Sequence, residues 1–192
     1  MLKDKTIGFG LCGSFCTLSQ AVQQLELLSQ TGCSILPVVS YSVAQTDTRF
    51  GTASHFISQI EAICGRKVIA SIAEAEPIGP QKLCDIMVIM PCTGNTAAKL
   101  YNGITDTPVT MAAKSHLRNG RPLLIGIATN DGLSMNARNI GGLMNTRNVY
   151  FIPFGQDDAE NKPTSLIANM QLLLPSINAV LNGKGLSPQL IV

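Results

Sequence analysis

The chain has 192 residues, 45% hydrophobic and only 14% charged, a balance that excludes a disordered chain and leaves ample apolar material for a buried core. Fourteen basic against twelve acidic side chains give a formal net charge of +2, too mild and too scattered for a nucleic-acid surface. At roughly 150 residues per domain, one domain spanning 1–192 is expected, and so little charge predicts that other protomers cover part of its exterior.

No apolar run approaches the ~18 residues of a membrane span, and Lys3-Asp4-Lys5 at the N-terminus does not open a secretion signal. A cytoplasmic protein is therefore expected. The six cysteines fit that setting as reduced thiols, with Cys12, Cys33, Cys84 and Cys92 in apolar, strand-like segments where a small hydrophobe belongs. No C-x-x-C pair occurs and His55 and His116 are far apart, so no metal site is expected.

Taken in chain order, residues 5–11 read as a short apolar strand that ends in the turn Cys12-Gly13-Ser14. Residues 17–29 carry Leu18, Val22, Leu25 and Leu28 at helical spacing, with Gly32 placed to end the helix. Residues 34–39 form a second strand, bounded by Ser40-Tyr41-Ser42, and 53–64 a helix with Phe56, Ile57, Ile60 and Ile63 on one side. Residues 68–72 read as a short third strand. Glu76-Pro77-Ile78-Gly79-Pro80 then forms a rigid loop, because two prolines in four residues forbid a regular helix.

The clearest buried strand is 85–90, followed by Pro91-Cys92-Thr93-Gly94-Asn95, a helix from about Thr96 and another over 109–118. Residues 123–128 read as a strand, with Thr129-Asn130-Asp131-Gly132 and a helix-like stretch after it. A last strand covers 149–152, and 166–181 reads as a C-terminal helix interrupted by Pro175. Apolar strands without alternation, separated by amphipathic helices, predict a doubly wound parallel sheet with helices on both faces, an α/β fold of three layers. Ligands of such sheets bind at the carboxyl ends of the strands, where the polar loops 12–14, 40–49, 91–95 and 129–132 all fall.

Gly13 and Ser14 open a helix whose first amides can face an anion; a tight turn requiring glycine explains the same residues. Thr93, Asn95 and Thr96 follow the best strand, and helix capping accounts for one of the three but not all. An acidic ribose ligand is missing at the end of the second strand, where Ser40 stands, which argues against a nicotinamide dinucleotide here. His55 lies beside Phe56 and Ile57 and reads as structural, and His116 carries less weight still.

Several of these segments in order resemble the flavoprotein family of homo-oligomeric, FMN-binding cysteine decarboxylases. They are Gly13-Ser14, the run from Pro91 through Asn95-Thr96 to Ala98-Lys99, Gly103 to Asp106, and Ile127-Ala-Thr-Asn130. The resemblance implies a flavodoxin-like (Rossmann-like) form of that doubly wound sheet, with FMN held through Gly13, Ser14, Ser40, Ser42, Thr93, Gly94 and Asn95. It also implies an active-site amide at Asn130, which a helix N-cap would explain equally, and an assembly of trimers or dodecamers. Asp47-Thr-Arg49-Phe-Gly51, Glu76 to Pro80, Thr129 to Gly132 and Pro153 to Asp158 are similar to a narrower branch of the family.

Membership of that branch implies one component of an oxidoreductase in the mother cell of a sporulating bacterium. Paired with a separate A subunit, it would oxidise a dihydropyridine dicarboxylate to its aromatic product. Such a substrate calls for cations on its two carboxylates, and Arg49 on the loop after strand two is the first candidate, against a solvated surface arginine. The chain departs from the decarboxylases in three places. Pro77 stands where they carry a catalytic histidine, Ile127 replaces a proline, and 153–165 lack the glycine-flanked cysteine clamp. Peptidyl-cysteine decarboxylation is therefore not expected. The alternative is a non-catalytic partner with a vestigial flavin site, its companion chain carrying NAD(P).

Overall fold

A computed structural model describes residues 2–191. The apolar runs become five parallel strands: β1 (Thr6–Leu11), β2 (Ser34–Val39), β3 (Ile86–Cys92), β4 (Leu123–Thr129) and β5 (Val149–Phe151). They lie side by side as β2-β1-β3-β4-β5, every pair parallel. All seven residues of β3 are buried, as a central strand covered by helices on both faces must be. This is the doubly wound, parallel-dominated sheet that the periodicity predicts, in its flavodoxin-like form.

The connecting helices are α1 (Phe15–Ser29), α2 (Tyr41–Gln45), α3 (Ala53–Cys64), α4 (Ile72–Ala75), α5 (Gly94–Tyr101), α6 (Pro108–Leu117), α7 (Ala137–Met144) and α8 (Leu173–Leu181). Five begin at a Ser or Thr whose hydroxyl accepts an amide of the first turn: Ser40, Thr52, Ser71, Thr93 and Thr107. Leu18, Leu25 and Leu28 of α1 are wholly buried, so the spacing that marks the helix also marks its inner face.

Three segments differ from expectation. Residues 68–72 do not make a strand: Ile69 forms one bridge to Val38, and Ser71 then starts α4 through a reciprocal capping box with Glu74. Glu76–Ile78 is a 3-10 turn rather than a loop. The expected helix over 166–181 is a strand, β7 (Leu166–Ala168), then a 3-10 turn and α8. A three-residue apolar run carries no period that could separate strand from helix. Pro175 does not interrupt α8, because it occupies the first turn, where an amide needs no helical partner.

Strand β7 has a consequence for everything above it. With β6 (Phe154–Gly155) it forms an antiparallel ribbon that pairs with β4 at Ala128 and Thr129, whereas β5 pairs no further along β4 than Ile125. The ribbon thus continues the sheet past the end of β5 and carries its loop, residues 156–165, over the carboxyl ends of the strands.

His116 sits at the opposite end, fully buried. Its Nε2 lies 3.1 Å from the Pro122 carbonyl, which can only accept, so Nε2 carries the proton and Nδ1 faces the Cys84 thiol at 3.5 Å. Burial opposes the imidazolium and lowers the pKa to about 4, while burial likewise pushes the Cys84 thiol up to about 11. The unfolded chain binds this proton near pH 6.5 and the folded chain only near 4, so acid favours unfolding between those values. Denaturant titrations from pH 7.5 to 4 should lose roughly 3 kcal/mol through this residue. His116→Gln, although less stable at neutral pH, should show a flatter pH dependence.

Candidate functional site

A cavity of about 430 Å³ opens at the carboxyl ends of β1, β3 and β4, within the ~300–1,000 Å³ range usual for ligand pockets. Its floor follows from two helix starts. At α1, Ser14 occupies the N-cap without accepting a backbone amide of the helix; its hydroxyl instead receives the Thr17 hydroxyl at 2.9 Å. Ser14, Phe15 and Cys16 all line the cavity at the positive end of a fifteen-residue helix whose first-turn amides Ser14 leaves uncapped, an arrangement that suits an anion. Gly13 precedes it, and a methyl group there would lie 2.9 Å from the Ser42 Cβ. Only glycine lets α2 approach the turn this closely.

The second start is α5. Thr93 accepts the Thr96 amide at 3.2 Å and thereby caps the helix. Gly94 lies against a polar cluster from the loop after β4. Thr129 Oγ1 donates to Asp131 Oδ1 at 2.5 Å, Asn136 Nδ2 reaches both Asp131 oxygens at 2.9 and 2.8 Å, and Asn139 donates to Asn136 at 2.8 Å. Asp131 is therefore the hub of this loop, and α7 starts at Asn136 rather than at Asn130.

Arg49 and Phe50 stand at the tip of a tight turn closed by Thr48–Gly51 hydrogen bonds of 3.0 and 3.1 Å. The guanidinium lies 4.9 Å from the Phe50 ring centroid, and both side chains line the cavity. Asn130 lines it too, its carbonyl accepting the Thr164 hydroxyl at 2.6 Å while its side-chain amide faces solvent. The ribbon loop adds Asp157, Lys162 and Ser165.

Six of the nine residues singled out from the sequence thus share one cavity: Gly13, Ser14, Arg49, Thr93, Gly94 and Asn130. Ser40 is buried as the cap of α2, accepting the Val43 amide at 3.4 Å, and Ser42 backs the Gly13 turn from behind. Asn95 is exposed on the first turn of α5, outside the lining. His55 is exposed rather than structural, edge-on to Phe56. Sequence reasoning missed Lys162, because a helix assigned to 166–181 left 156–165 unplaced. The acidic Gln156-Asp157-Asp158 stretch with a lysine four residues on was the available signal.

With a doubly wound sheet, an anion-facing α1 and this loop set in place, comparison with known proteins agrees on the class. The Flavoprotein family model matches residues 1–170, and the chain belongs to the flavoprotein family. It is 48% identical over 190 residues to the B subunit of dipicolinate synthase from Bacillus subtilis (strain 168), covering 99% of this chain and 95% of that one. The crystal structure of the dipicolinate synthase B subunit from Bacillus halodurans C superposes with a TM-score of 0.91 at 46% identity, over 100% of this chain and 99% of that one. The FMN-dependent cysteine decarboxylase SpaF shares the fold, with a TM-score of 0.67 at 19% identity over 95% and 98% of the two chains.

Two glycines distinguish packing from propensity. A methyl group at Gly94 would lie 2.5 Å from both Asn136 Nδ2 and Thr129 Oγ1, whereas one at Gly141 in α7 meets nothing within 4 Å. Gly94→Ala should therefore destabilise by ~1–3 kcal/mol, although alanine is the better helix former. Gly141→Ala should stabilise by ~0.5–1 kcal/mol. Chemical denaturation of the two variants checks the opposite signs.

Proposed function

We propose that this chain acts as the B subunit of a dipicolinate synthase. In this reading it is the part of an oxidoreductase that holds FMN and takes a dihydropyridine dicarboxylate to its aromatic product during sporulation, in company with a separate A subunit. The observation that carries the reading is the near-full-length similarity to two such B subunits, joined to a cavity whose residues suit a flavin.

The residues present fit the cofactor. Ser14 Oγ–H and the Phe15 and Cys16 amides would take its phosphate, Thr93 would flank it, and Gly13 and Gly94 let α2 and the loop after β4 pack tightly behind the two helix starts. FMN, when bound, supplies a two-electron acceptor for oxidation of the dihydropyridine ring. The chain's own part is to bind and orient. Arg49 takes one substrate carboxylate through its planar fork, the Asn130 amide donates to a carboxylate from the loop after β4, and Phe50 offers an aromatic face and limits water.

Exposed Leu133 and Met135, beside the cavity on the loop after β4, support assembly as a homo-oligomer, a trimer or dodecamer, with a neighbouring copy covering that edge. A second reading, a non-catalytic partner supporting an NAD(P)-dependent A subunit, is favoured by one observation. No histidine is among the described residues that line the cavity. Flavin fluorescence separates the two. Titrating FMN with the purified chain should give saturable quenching that Ser14→Ala weakens about tenfold, the worth of one hydrogen bond to a charged group. Absence of quenching with and without the A subunit, the fold being intact by circular dichroism, would leave only the partner role.

A further inference from the structure

The loop joining β6 to β7 brings a second cation to the cavity. Lys162 Nζ donates to Asp157 Oδ2 at 3.0 Å, and both side chains line the same space as Arg49. The loop has a definite shape. The Lys162 amide binds the Asp158 carbonyl at 2.8 Å, Asp158 Oδ1 accepts from the Asn161 amide at 3.0 Å, and Gln156 Nε2 donates to the Pro163 carbonyl at 2.8 Å. It is also tied to its neighbour, since the Thr164 hydroxyl holds the Asn130 carbonyl and the Leu133 amide binds the Thr164 carbonyl at 2.9 Å.

Arg49 reaches the cavity from the β2 edge of the sheet and Lys162 from the ribbon at the other edge. These are the lysine and arginine side chains among the described lining residues, and Asp157 is the one carboxylate among them. Lys99 and Lys114 do not line it, and Lys99 is already taken by both Asp106 oxygens at 2.8 and 2.9 Å. Burial opposes charge on Asp157, but hydrogen bonds from Ser165 and Lys162 hold its carboxyl below the usual range. The Asp157 carboxylate in turn raises Lys162. The pair is thus fully charged at neutral pH and electrically balanced.

We propose that Lys162 is the second carboxylate-binding residue of this site, fixing specificity for a dicarboxylate, with Asp157 as the group that orients it. The proposal rests on the dicarboxylate reading above. An ammonium has three donors, so Lys162 can grip a substrate carboxylate while Asp157 keeps one of them. A monocarboxylate gains only the Arg49 contact, and the cation opposite is left facing Asp157 alone. Asp157 works against an incoming dianion, which makes it a filter: only a ligand that engages Lys162 offsets the repulsion.

Isothermal titration of the full-length chain in the presence of FMN, with dipicolinate and picolinate as probes, tests this. Lys162→Met should weaken dipicolinate about tenfold or more and leave picolinate within about twofold, Lys162→Arg should recover much of the loss, and Asp157→Asn should tighten dipicolinate. Flavin quenching should be unchanged in all three variants, which shows that the fold and the flavin floor are intact. If Lys162→Met binds both acids as the native chain does, the residue has no such role and the dicarboxylate reading stands. If the native chain binds no dipicolinate, alone or with the A subunit, both fall together.

Discussion

Strand β1 hydrogen-bonds to β2 along one edge and to β3 along the other, and the molecule's usable surface depends on that double pairing. Because the chain leaves β1 for β2 and later returns to β3 on the far side, the loops at the ends of β1 and β3 diverge and a crevice opens between them. Helices α1 and α5 start in that crevice, so both point their positive ends into it. The pairing is made of backbone groups, which explains why side chains along β1 are chosen only for fit: Gly8 and Gly10 yield to Met87, Cys84 and Val109 rather than to any ligand.

The second constraint is the distance between α5 and the loop after β4. Gly94, Asp131 and Asn136 form one packed polar unit in which the carboxylate is satisfied by Thr129 and Asn136. Asp131 at its centre is fully partnered, while Asn139 Oδ1 at its outer end is buried without a partner among the described residues. Asn130 rides on this support. Its backbone is held by Thr164 while the residue stays exposed at the cavity lining, which is the combination a binding residue needs.

Much of this was legible in the sequence. The five unalternating apolar runs marked the parallel strands, and Gly13-Ser14, Thr93-Gly94 and Asn130 marked three loops that meet. Arg49 was legible as a polar residue on a strand-end loop, though its partner Phe50 passed unremarked. The failures have a common physical origin. Residues 68–72 and 166–168 are short, and in both places the outcome was decided by partners far along the chain, Val38 in one case and Ala128 with Thr129 in the other. No local period records such a choice. Asn95 and Ser40 carried the right chemistry, but whether a side chain on a helix start faces the crevice or turns away depends on helix direction.

The hydrogen bonds from Thr164 and Leu133 that bind the ribbon loop to the loop after β4 have a mechanical meaning. Two segments 34 residues apart in sequence are latched at their tips, so neither can swing without carrying the other. The amide of Asn130 and the ammonium of Lys162 therefore travel as one jaw, with the Arg49–Phe50 turn as the opposing jaw across the crevice. Parting either loop from the other means breaking the Thr164 and Leu133 hydrogen bonds together.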